Sequence, residues 1–469
     1  MNNNSPWLYE LSSRTDFPPI SHGNNHDIVI IGAGISGITT AYQILTQTNR
    51  NVTLVDGRKI CRGATGHNAG QLVAEFELSY KDLVEAFGIF MAKEAEQSLD
   101  GSWDILNDIF KTTNLPVQKQ FFMGVDIYGT QEDLYDLLEE EVLRKQTGLL
   151  CEDMYVLPEI YHATDFPRQY KSVVNVMERS DMLSLIGENN DIFIAVQLKK
   201  KGVMNSALFG EQLIVWLLDN FSNRFSVHEH SMIETIHIDP SQITITFVGN
   251  IIIKTNDVIL CTNGFENFTI TQNHTNTVNT ILHHHVAGII GYMGASHSRE
   301  KSPPMAQVYY NSSIISEDEE SEELEYLKHE SKNSWTSLNE EPYIYITKRD
   351  YSYQDKEGTL VCIGGPQKRI ADTTAYDEER NGSDEFYDVI EEVKNDMLHI
   401  KDSTVFTWHG LMGVTPTSIR IVGQEPRAKN LWYNLGCNGI GIMPAIYGSW
   451  KIGQILTGKH FPPSVFDPQ

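Results

Sequence analysis

Residues 27–56, DIVIIGAGISGITTAYQILTQTNRNVTLVD, decide the fold of this chain. An apolar run ends at a glycine motif, G-A-G-I-S-G at residues 32–37, which opens a segment of helical character. A second apolar run then ends at Asp56. Strand, glycine turn, helix, strand and terminal acid in this order predict a βαβ unit that binds a dinucleotide.

Each glycine of the motif has its own physical role. Gly32 forms the tight turn, Gly34 lets backbone N–H groups approach a pyrophosphate, and Gly37 lets the helix pack closely on the strand. The positive end of the helix dipole then faces the phosphates. Asp56 is placed to bind the hydroxyls of an adenosine ribose. These residues alone leave FAD, NAD and a nucleotide without a redox role as alternatives.

The composition limits the classes of protein to consider. The chain has 469 residues, more than one typical core holds, so two domains are expected. A formal net charge of −26 disfavours nucleic acid and anionic membrane surfaces as partners. No apolar run reaches about 18 residues, which predicts that nothing spans a membrane. Scattered cysteines and the lack of a secretory signal predict a cytoplasmic protein.

Much of the negative charge lies in residues 316–325, SEDEESEELE, within a predicted insertion at residues 296–340. Because like charges repel, a solvated surface insertion is the simpler interpretation. A docking segment for a basic partner is the alternative.

Local patterns predict helices and strands along the rest of the chain. Helix formers with periodic apolar positions predict helical structure over residues 80–150. Alternating segments at residues 342–353 and 359–366 predict a hairpin. Residues 431–458 predict a strand, a glycine-rich turn and a helix.

Three blocks of sequence carry a resemblance to a known family. The first joins residues 27–56 to G-A-T-G-H-N-A-G at residues 63–70. The second is D-V-I-L-C-T-N-G at residues 257–264, and the third covers residues 408–441. Together they resemble the FAD-dependent amine and amino-acid oxidase superfamily, which includes D-amino-acid oxidase, glycine oxidase and sarcosine oxidase. The pattern is most similar to the γ-glutamylputrescine oxidase group.

The resemblance implies an α/β fold in which a Rossmann-like FAD-binding domain is interleaved with a substrate domain of antiparallel sheet plus helices. The implied FAD-binding domain is discontinuous, with residues 25–80, 205–282 and 400–469. The implied substrate domain has residues 81–204 and 283–399. The motif and the resemblance assign to FAD the residues Gly32, Gly34, Ile35, Ser36, Gly37, Asp56, Gly57, Arg58, Ala64, Thr65, His67, Asn68, Ala69, Gly70, Ile233, Thr262, Gly264, Gly436, Asn438, Gly439, Ile440 and Gly441.

The resemblance also implies a reaction. In that family a hydride passes from a carbon beside nitrogen to flavin N5, an imine forms, and O2 reoxidises the flavin to give H2O2. For this chain it implies an oxidoreductase that oxidises a C–N bond of a small-molecule amine or an N-substituted amino acid. Two alternatives stay open: an FAD-dependent amine dehydrogenase that passes electrons to a carrier, and a non-catalytic flavin-binding protein that recruits a partner.

Four residues are catalytic candidates on the substrate side. Trp408 and His409 stand just before the implied flavin-covering turn. Tyr343 and Tyr345 are two apart, so on a strand they face one side. An aromatic wall suits the carbon chain of an amine, with core packing as the alternative role. His409 is also a candidate acid–base group near neutral pH.

One departure from the family concerns the substrate carboxylate. Relatives of glycine oxidase carry an arginine after the G-L of the third block, where this chain has Met412. Arg420 is the nearest other arginine. An amine or an N-substituted compound is therefore favoured over a simple α-amino acid.

Histidines raise two further questions. His67 stands where dimethylglycine and sarcosine dehydrogenases, which the first block resembles, carry a histidine bonded to FAD. The cofactor is therefore either covalently joined to His67 or only hydrogen-bonded by it. His283, His284 and His285 could share a metal ion, but no acid or cysteine stands at ligand spacing, so no metal site is predicted.

Overall fold

The predicted βαβ unit forms in the computed structural model of the chain. Strands β1 (Gly23–Ile31) and β2 (Val52–Val55) pair in parallel, and helix α2 (Ile35–Gln47) joins them. The structure describes residues 3–187, 193–272, 286–310, 343–370, 373–378 and 382–468. The acidic segment 316–325 and the histidines at 283–285 lie outside the described residues.

The described helices and strands follow one another with short connections. The helices are α1 (Pro6–Tyr9), α2, α3 (Tyr80–Asp100), α4 (Ser102–Thr113), α5 (Gln131–Thr147), α6 (Pro158–Tyr161), α7 (Arg179–Ile186), α8 (Ser206–Phe221), α9 (Asp384–Glu392) and α10 (Ile442–Leu456). The strands after β2 are β3 (Gln71–Leu72), β4 (Lys119–Tyr128), β5 (Asp153–Val156), β6 (Asn175–Val176), β7 (Ala195–Met204), β8 (Phe225–His228), β9 (Ile233–Asp239), β10 (Gln242–Phe247), β11 (Ile251–Leu260), β12 (Thr269–Gln272), β13 (Ala287–Ser298), β14 (Met305–Tyr310), β15 (Tyr343–Tyr353), β16 (Lys356–Ile370), β17 (Thr404–Val414), β18 (Ile421–Glu425) and β19 (Ala428–Leu435). Within the described ranges, no helix is long and apolar enough to cross a membrane.

The first sheet holds the dinucleotide motif. Its strands run in the order β12–β9–β10–β11–β1–β2–β8, and the pair β18–β19 attaches through β11. Strands β2, β1, β11 and β19 pair in parallel, so their carboxyl ends meet at one edge of the sheet. Open α/β sheets bind their ligands at this edge.

Both faces of the sheet are buried at β1 and β2, which explains the continuous apolar runs in these parallel strands. Ile28 and Ile30 of β1 pack into the core shared with α2 and α10, whereas Val29 and Ile31 pack into a second core on the opposite face. The sheet therefore holds its carboxyl edge rigidly.

The second sheet is mainly antiparallel and runs in the order β17–β13–β16–β15–β14–β4–β7–β5–β6. The predicted hairpin is confirmed, because β15 and β16 pair antiparallel up to the turn between Tyr353 and Lys356. The chain passes between the two sheets several times, and the predicted α/β class is confirmed. The domain boundaries stay a prediction, and β17 of the second sheet lies within the stretch 400–469 that was assigned to the FAD-binding domain.

The helical prediction for residues 80–150 is wrong at residues 119–128. These residues form β4, which pairs antiparallel with β7 and parallel with β14. Val125 and Ile127 point into one buried core at the two-residue spacing of a strand. Pairing with strands far away in sequence decides the conformation here, against the helical pattern on either side.

The N-terminal residues pack against the small-residue loop at residues 63–70. Trp7 is fully buried, and its ring meets Trp408 edge-on with 6.3 Å between centroids. The Trp7 indole N–H donates to the carbonyl of Asn68. A Cβ at Gly70 would lie 2.5 Å from the Trp7 ring, so this position accepts only glycine. The loop that follows Cys61 therefore rests on Trp7.

We expect Trp7→Ala to destabilise the protein. Removal of a fully buried tryptophan leaves a cavity and costs about 3 to 5 kcal/mol of folding free energy. The midpoint of thermal unfolding should fall by several degrees. Phe90→Ala is the matched control, because Phe90 is 71% exposed and its removal should change little. Equal midpoints for Trp7→Ala and Phe90→Ala would contradict the bracing role.

Candidate active site

A cavity of about 1430 Å³ lies at the carboxyl edge of the first sheet and extends to the second sheet. Sites for drug-sized ligands have roughly 300 to 1,000 Å³, so this main cavity has room for a dinucleotide and a small substrate. Across the described parts of the chain, no group of three or more histidine, cysteine, aspartate or glutamate side chains has the arrangement of a metal site.

Most of the predicted site residues line the main cavity. Its wall includes Gly32, Gly34, Ile35, Ser36, Asp56, Gly57, Arg58, Ala64, Thr65, His67, Asn68, Ala69, Ile233, Thr262, Gly439, Ile440, Gly441, Tyr343 and Tyr345. The predicted residues that lie outside its wall are Gly37, Gly70, Gly264, Gly436, Asn438, Trp408 and His409.

The glycines outside the wall are needed for packing. A Cβ at Gly37 would lie 1.9 Å from the carbonyl oxygen of Gly32, which is the close contact between helix and strand that the motif predicts. A Cβ at Gly264 would lie 2.4 Å from a methyl group of Val286, and one at Gly436 would lie 2.4 Å from a methyl group of Thr415.

Asp56 connects the turns that follow β1 and β2. Its carboxylate accepts hydrogen bonds from the backbone N–H groups of Ala33 and Arg58, each at 2.8 Å. Burial raises the pKa of this carboxyl group. Asp56 thus lies at the edge of the sheet, where the motif places the adenosine ribose.

Thr65, on the loop after β2, leaves little space beside the first turn of α2. A Cβ at Gly34 would lie 2.9 Å from Thr65 Oγ1, and this hydroxyl accepts a hydrogen bond of 2.9 Å from the backbone N–H of Ile35. Only a glycine hydrogen fits between the backbone at residue 34 and the Thr65 side chain. The N-terminus of α2 therefore stays open to an anionic group.

A buried cation lies beside the same helix. The guanidinium of Arg420 donates to Ser36 Oγ at 2.7 Å, to Asn434 Oδ1 at 2.6 Å and to the carbonyl of Gly436 at 3.1 Å. None of these acceptors is charged, and burial lowers the pKa of Arg420 to about 10. A buried cation without a carboxylate is costly, and it lines the main cavity where an anionic pyrophosphate would compensate it.

Two asparagines shape the glycine turn before α10. The backbone N–H of Cys437 donates to Asn263 Oδ1 at 2.8 Å, and that of Thr415 donates to Asn438 Oδ1 at 2.7 Å. These bonds tie the ends of β11, β17 and β19 together. Gly439 has φ +80°, in the left-handed region that favours glycine, and α10 begins three residues later with its positive end at the turn.

The substrate side of the cavity has a row of tyrosines. The rings of Tyr343 and Tyr345 are 6.0 Å apart, and Tyr310 lies 5.8 Å from Tyr343. Tyr310 in turn stacks on Tyr128, with 5.1 Å between centroids and 6° between planes. The Tyr343 hydroxyl donates to Glu77 Oε1 at 3.3 Å.

Sequence reasoning missed Glu77 and Tyr310. Both line the main cavity, but neither belongs to a motif. The available signal for Glu77 is its position shortly after the small-residue segment of the first block. Tyr310 becomes part of the site only because β14 pairs with β15.

Trp408 and His409 lie behind the cavity wall. Trp408 is fully buried against Trp7. His409 Nδ1 lies 3.0 Å from the Tyr376 hydroxyl. Burial, helped by the neighbouring His67, lowers the pKa of His409 to about 4, so this side chain titrates well below neutral pH. These positions support structural roles.

Among the described residues, His67 forms a hydrogen bond through one ring nitrogen only. Its Nδ1 lies 3.1 Å from the carbonyl oxygen of Gly63, which can only accept a hydrogen bond. The proton therefore resides on Nδ1, and Nε2 keeps its lone pair. Burial lowers the pKa of His67, which keeps the ring neutral at physiological pH.

Comparison with known proteins gives matches to the N-terminal part of the chain. Residues 27–160 match the family model described as DAO: FAD dependent oxidoreductase. Among curated proteins, 85 residues are 34% identical to a putative Rieske 2Fe-2S iron-sulfur protein of Bacillus subtilis, and 83 residues are 29% identical to a probable oxidoreductase, OrdL, of Haemophilus influenzae. The matched segments cover 18% and 17% of this chain and only 16% and 19% of those relatives.

Solved structures share the fold over nearly the whole chain. Glycine oxidase from Geobacillus kaustophilus has a TM-score of 0.65 at 14% identity, covering 95% of this chain and 98% of its own. Iminodiacetate oxidase from Chelativorans sp. BNC1 has a TM-score of 0.64 at 12% identity, covering 94% and 98%. These structures confirm the predicted fold, and the family match confirms the resemblance to FAD-dependent oxidoreductases over residues 27–160.

We expect Gly34→Val to give a colourless protein that contains no FAD. Its side chain would collide with Thr65 and fill the space that the pyrophosphate needs. The FAD content of the purified protein is the measurement. Gly63→Ala is the matched control, because a Cβ there meets only the end of Arg58, at 3.9 Å. A yellow Gly34→Val protein with normal FAD content would refute the assignment.

Proposed function

We propose that the protein uses FAD to oxidise a C–N bond of an amine or an N-substituted amino acid. The proposal rests on the arrangement found where the dinucleotide side and the substrate side of the main cavity meet. There the glycine turn at Gly439 adjoins the tyrosine row that begins at Tyr343, with the carboxylate of Glu77 against both. The chemistry that FAD supplies is acceptance of a hydride at N5 from a carbon beside nitrogen, which yields an imine, and return of the electrons to O2 as H2O2.

The residues of the chain would bind the cofactor and orient the substrate. Arg420 and the N-terminus of α2 would hold the pyrophosphate, and Asp56 would bind the ribose. The N-terminus of α10 would stabilise negative charge on the flavin ring. Tyr343 and Tyr345 would present π faces to the substrate.

The cavity wall favours substrates without an α-carboxylate. Met412 lines the cavity where relatives of glycine oxidase carry an arginine. Arg420 is held on the dinucleotide side by Ser36 and Asn434. A buried carboxylate without a partner costs several kcal/mol, so simple amino acids should be poor substrates.

We expect an anaerobic screen of the purified holoenzyme to identify an amine that bleaches the flavin. Amines and N-alkyl compounds should exceed glycine and D-alanine by about tenfold or more in the rate of bleaching per unit concentration. Strong bleaching by glycine or D-alanine alone would contradict the proposed selectivity.

The same experiment separates the alternatives. After admission of O2, an oxidase forms H2O2 in proportion to the amine consumed. Reduction of an artificial dye without peroxide would instead identify a dehydrogenase that passes electrons to a carrier. Failure of every amine to bleach the flavin would support a non-catalytic flavin-binding protein.

We further propose that His67 Nε2 forms a covalent bond to the 8α carbon of FAD. The imidazole is neutral and Nε2 has a free lone pair, as a nucleophile requires. The 8α carbon would lose one hydrogen and the imidazole its Nδ1 proton as the bond from Nε2 to carbon forms, and O2 would take up the two electrons and two protons as H2O2. The alternative is a hydrogen bond from His67 to bound FAD.

Acid precipitation tests the covalent bond. We expect the yellow colour to stay with the denatured pellet and to move to the supernatant in His67→Ala. His409→Ala is the control, because His409 lies close by but outside the cavity wall. Release of all flavin from the unmodified protein would refute the bond.

A further inference from the structure

Glu77 occupies a central position in the main cavity. It lies between β3 and α3, and a Cβ at Gly439 would come within 2.1 Å of its Oε1. The carboxylate therefore lies directly against the turn before α10. On its other side Oε1 accepts the hydrogen bond of 3.3 Å from the Tyr343 hydroxyl.

The tyrosine row begins beside this carboxylate, at Tyr343. Tyr343, Tyr345 and Tyr310 line the same cavity with 5.8 to 6.0 Å between neighbouring rings. Among the residues that the structure describes, nothing forms a hydrogen bond with the Tyr345 hydroxyl. A carboxylate, π faces and an unused hydroxyl together suit a cation that carries N–H groups.

The described residues supply no cation for Glu77. Within the described ranges, no lysine or arginine forms an ion pair with it. The nearby Lys199 is shared between Glu75 and Asp126, each at 3.2 Å, and Arg144 pairs with Glu96 at 2.9 Å. A cavity-lining carboxylate is thus left for a ligand.

The surroundings of Glu77 shift the pKa of its carboxyl group. Burial raises the pKa of Glu77 to about 7, the Tyr343 hydroxyl lowers it, and the negative charge of Glu75 raises it further. Cys437, the titratable residue on the glycine turn, hydrogen-bonds instead to Asn263 and to the carbonyl of Gly413. A carboxyl group with this pKa can accept a proton near neutral pH.

Resting on the proposed C–N oxidation, we infer that Glu77 binds the ammonium group of the substrate and accepts one of its protons. The N–H bond breaks, an O–H bond forms on the carboxylate, and no electrons leave the substrate in this step. The substrate therefore enters as a cation and becomes the neutral amine that hydride transfer requires. Of the two proposed substrate classes, Glu77 therefore favours amines over N-substituted amino acids.

A binding experiment tests the cation site without turnover. Tetramethylammonium carries the charge but has no proton to lose, and acetate is the anionic probe. We expect calorimetric titration of the holoenzyme to show that tetramethylammonium binds and acetate does not. Glu77→Gln should weaken this binding by about tenfold or more. Glu357→Gln, an exposed carboxylate that pairs with Lys301 and does not line the main cavity, should leave it unchanged.

A kinetic experiment tests the proton transfer. With an amine found in the screen, kcat/KM should rise with pH through a limb near the pKa of Glu77. In Glu77→Gln, kcat/KM should fall by about 100-fold or more and lose that limb. Tyr343→Phe removes the hydrogen bond that lowers the pKa, so its limb should move to higher pH.

The outcomes decide separately on the two proposals. Equal binding of tetramethylammonium to Glu77→Gln, or an unchanged pH profile in Glu77→Gln or Tyr343→Phe, would overturn the inference while the proposed oxidation stands. Failure of every amine in the screen, with tetramethylammonium bound only when Glu77 is present, would overturn the oxidation and support the cation site. FAD content equal to that of the unmodified protein confirms that each variant is folded.

Discussion

The hydrogen bond between Arg420 and Asn434 is the constraint on which the cofactor side depends. Besides accepting from Arg420, Asn434 donates to Ser449 Oγ at 3.0 Å and to the carbonyl of Ala445 at 3.1 Å, both on α10. Arg420 also links α2 to this hydrogen-bond network, because its guanidinium donates to Ser36. A buried guanidinium costs several kcal/mol of folding free energy unless its N–H groups are paired. The network therefore fixes how the first long helix and the last helix of the chain meet, and with them the two helix ends that face the cavity.

The two ends of the main cavity differ in charge because of this arrangement. The dinucleotide side combines the Arg420 cation with the positive ends of α2 and α10, which suits an anionic cofactor. The substrate side has tyrosines, carboxylates and the paired cations Lys199 and Arg144, and burial raises the pKa of Glu140 and Glu152 to about 7 as it does for Glu77. A cationic substrate and an anionic cofactor would thus be drawn to opposite ends of one cavity.

The glycine turn connects the two ends. Its shape comes from Asn263 and Asn438, which hold three strand ends together, and Gly439 leaves room for the carboxylate of Glu77. In a flavin enzyme the cofactor carries the difficult bond changes, so few protein groups need to be reactive. Specificity then depends on a small number of wall residues, and the fold itself is shared with a structure of only 14% identity.

The sequence by itself determined the βαβ unit, the Asp56 position, the β15–β16 hairpin and the glycine turn before α10, because each is encoded by neighbouring residues through periodicity and glycine placement. It also placed Tyr343 and Tyr345 on one side of a strand, and most of the predicted cofactor residues proved to line one cavity. Only the tertiary structure decided that residues 119–128 form a strand, that Trp408 packs behind the wall, and that Glu77 reaches Gly439. These outcomes depend on contacts between residues far apart in the chain, and no local pattern specifies which distant partners will meet.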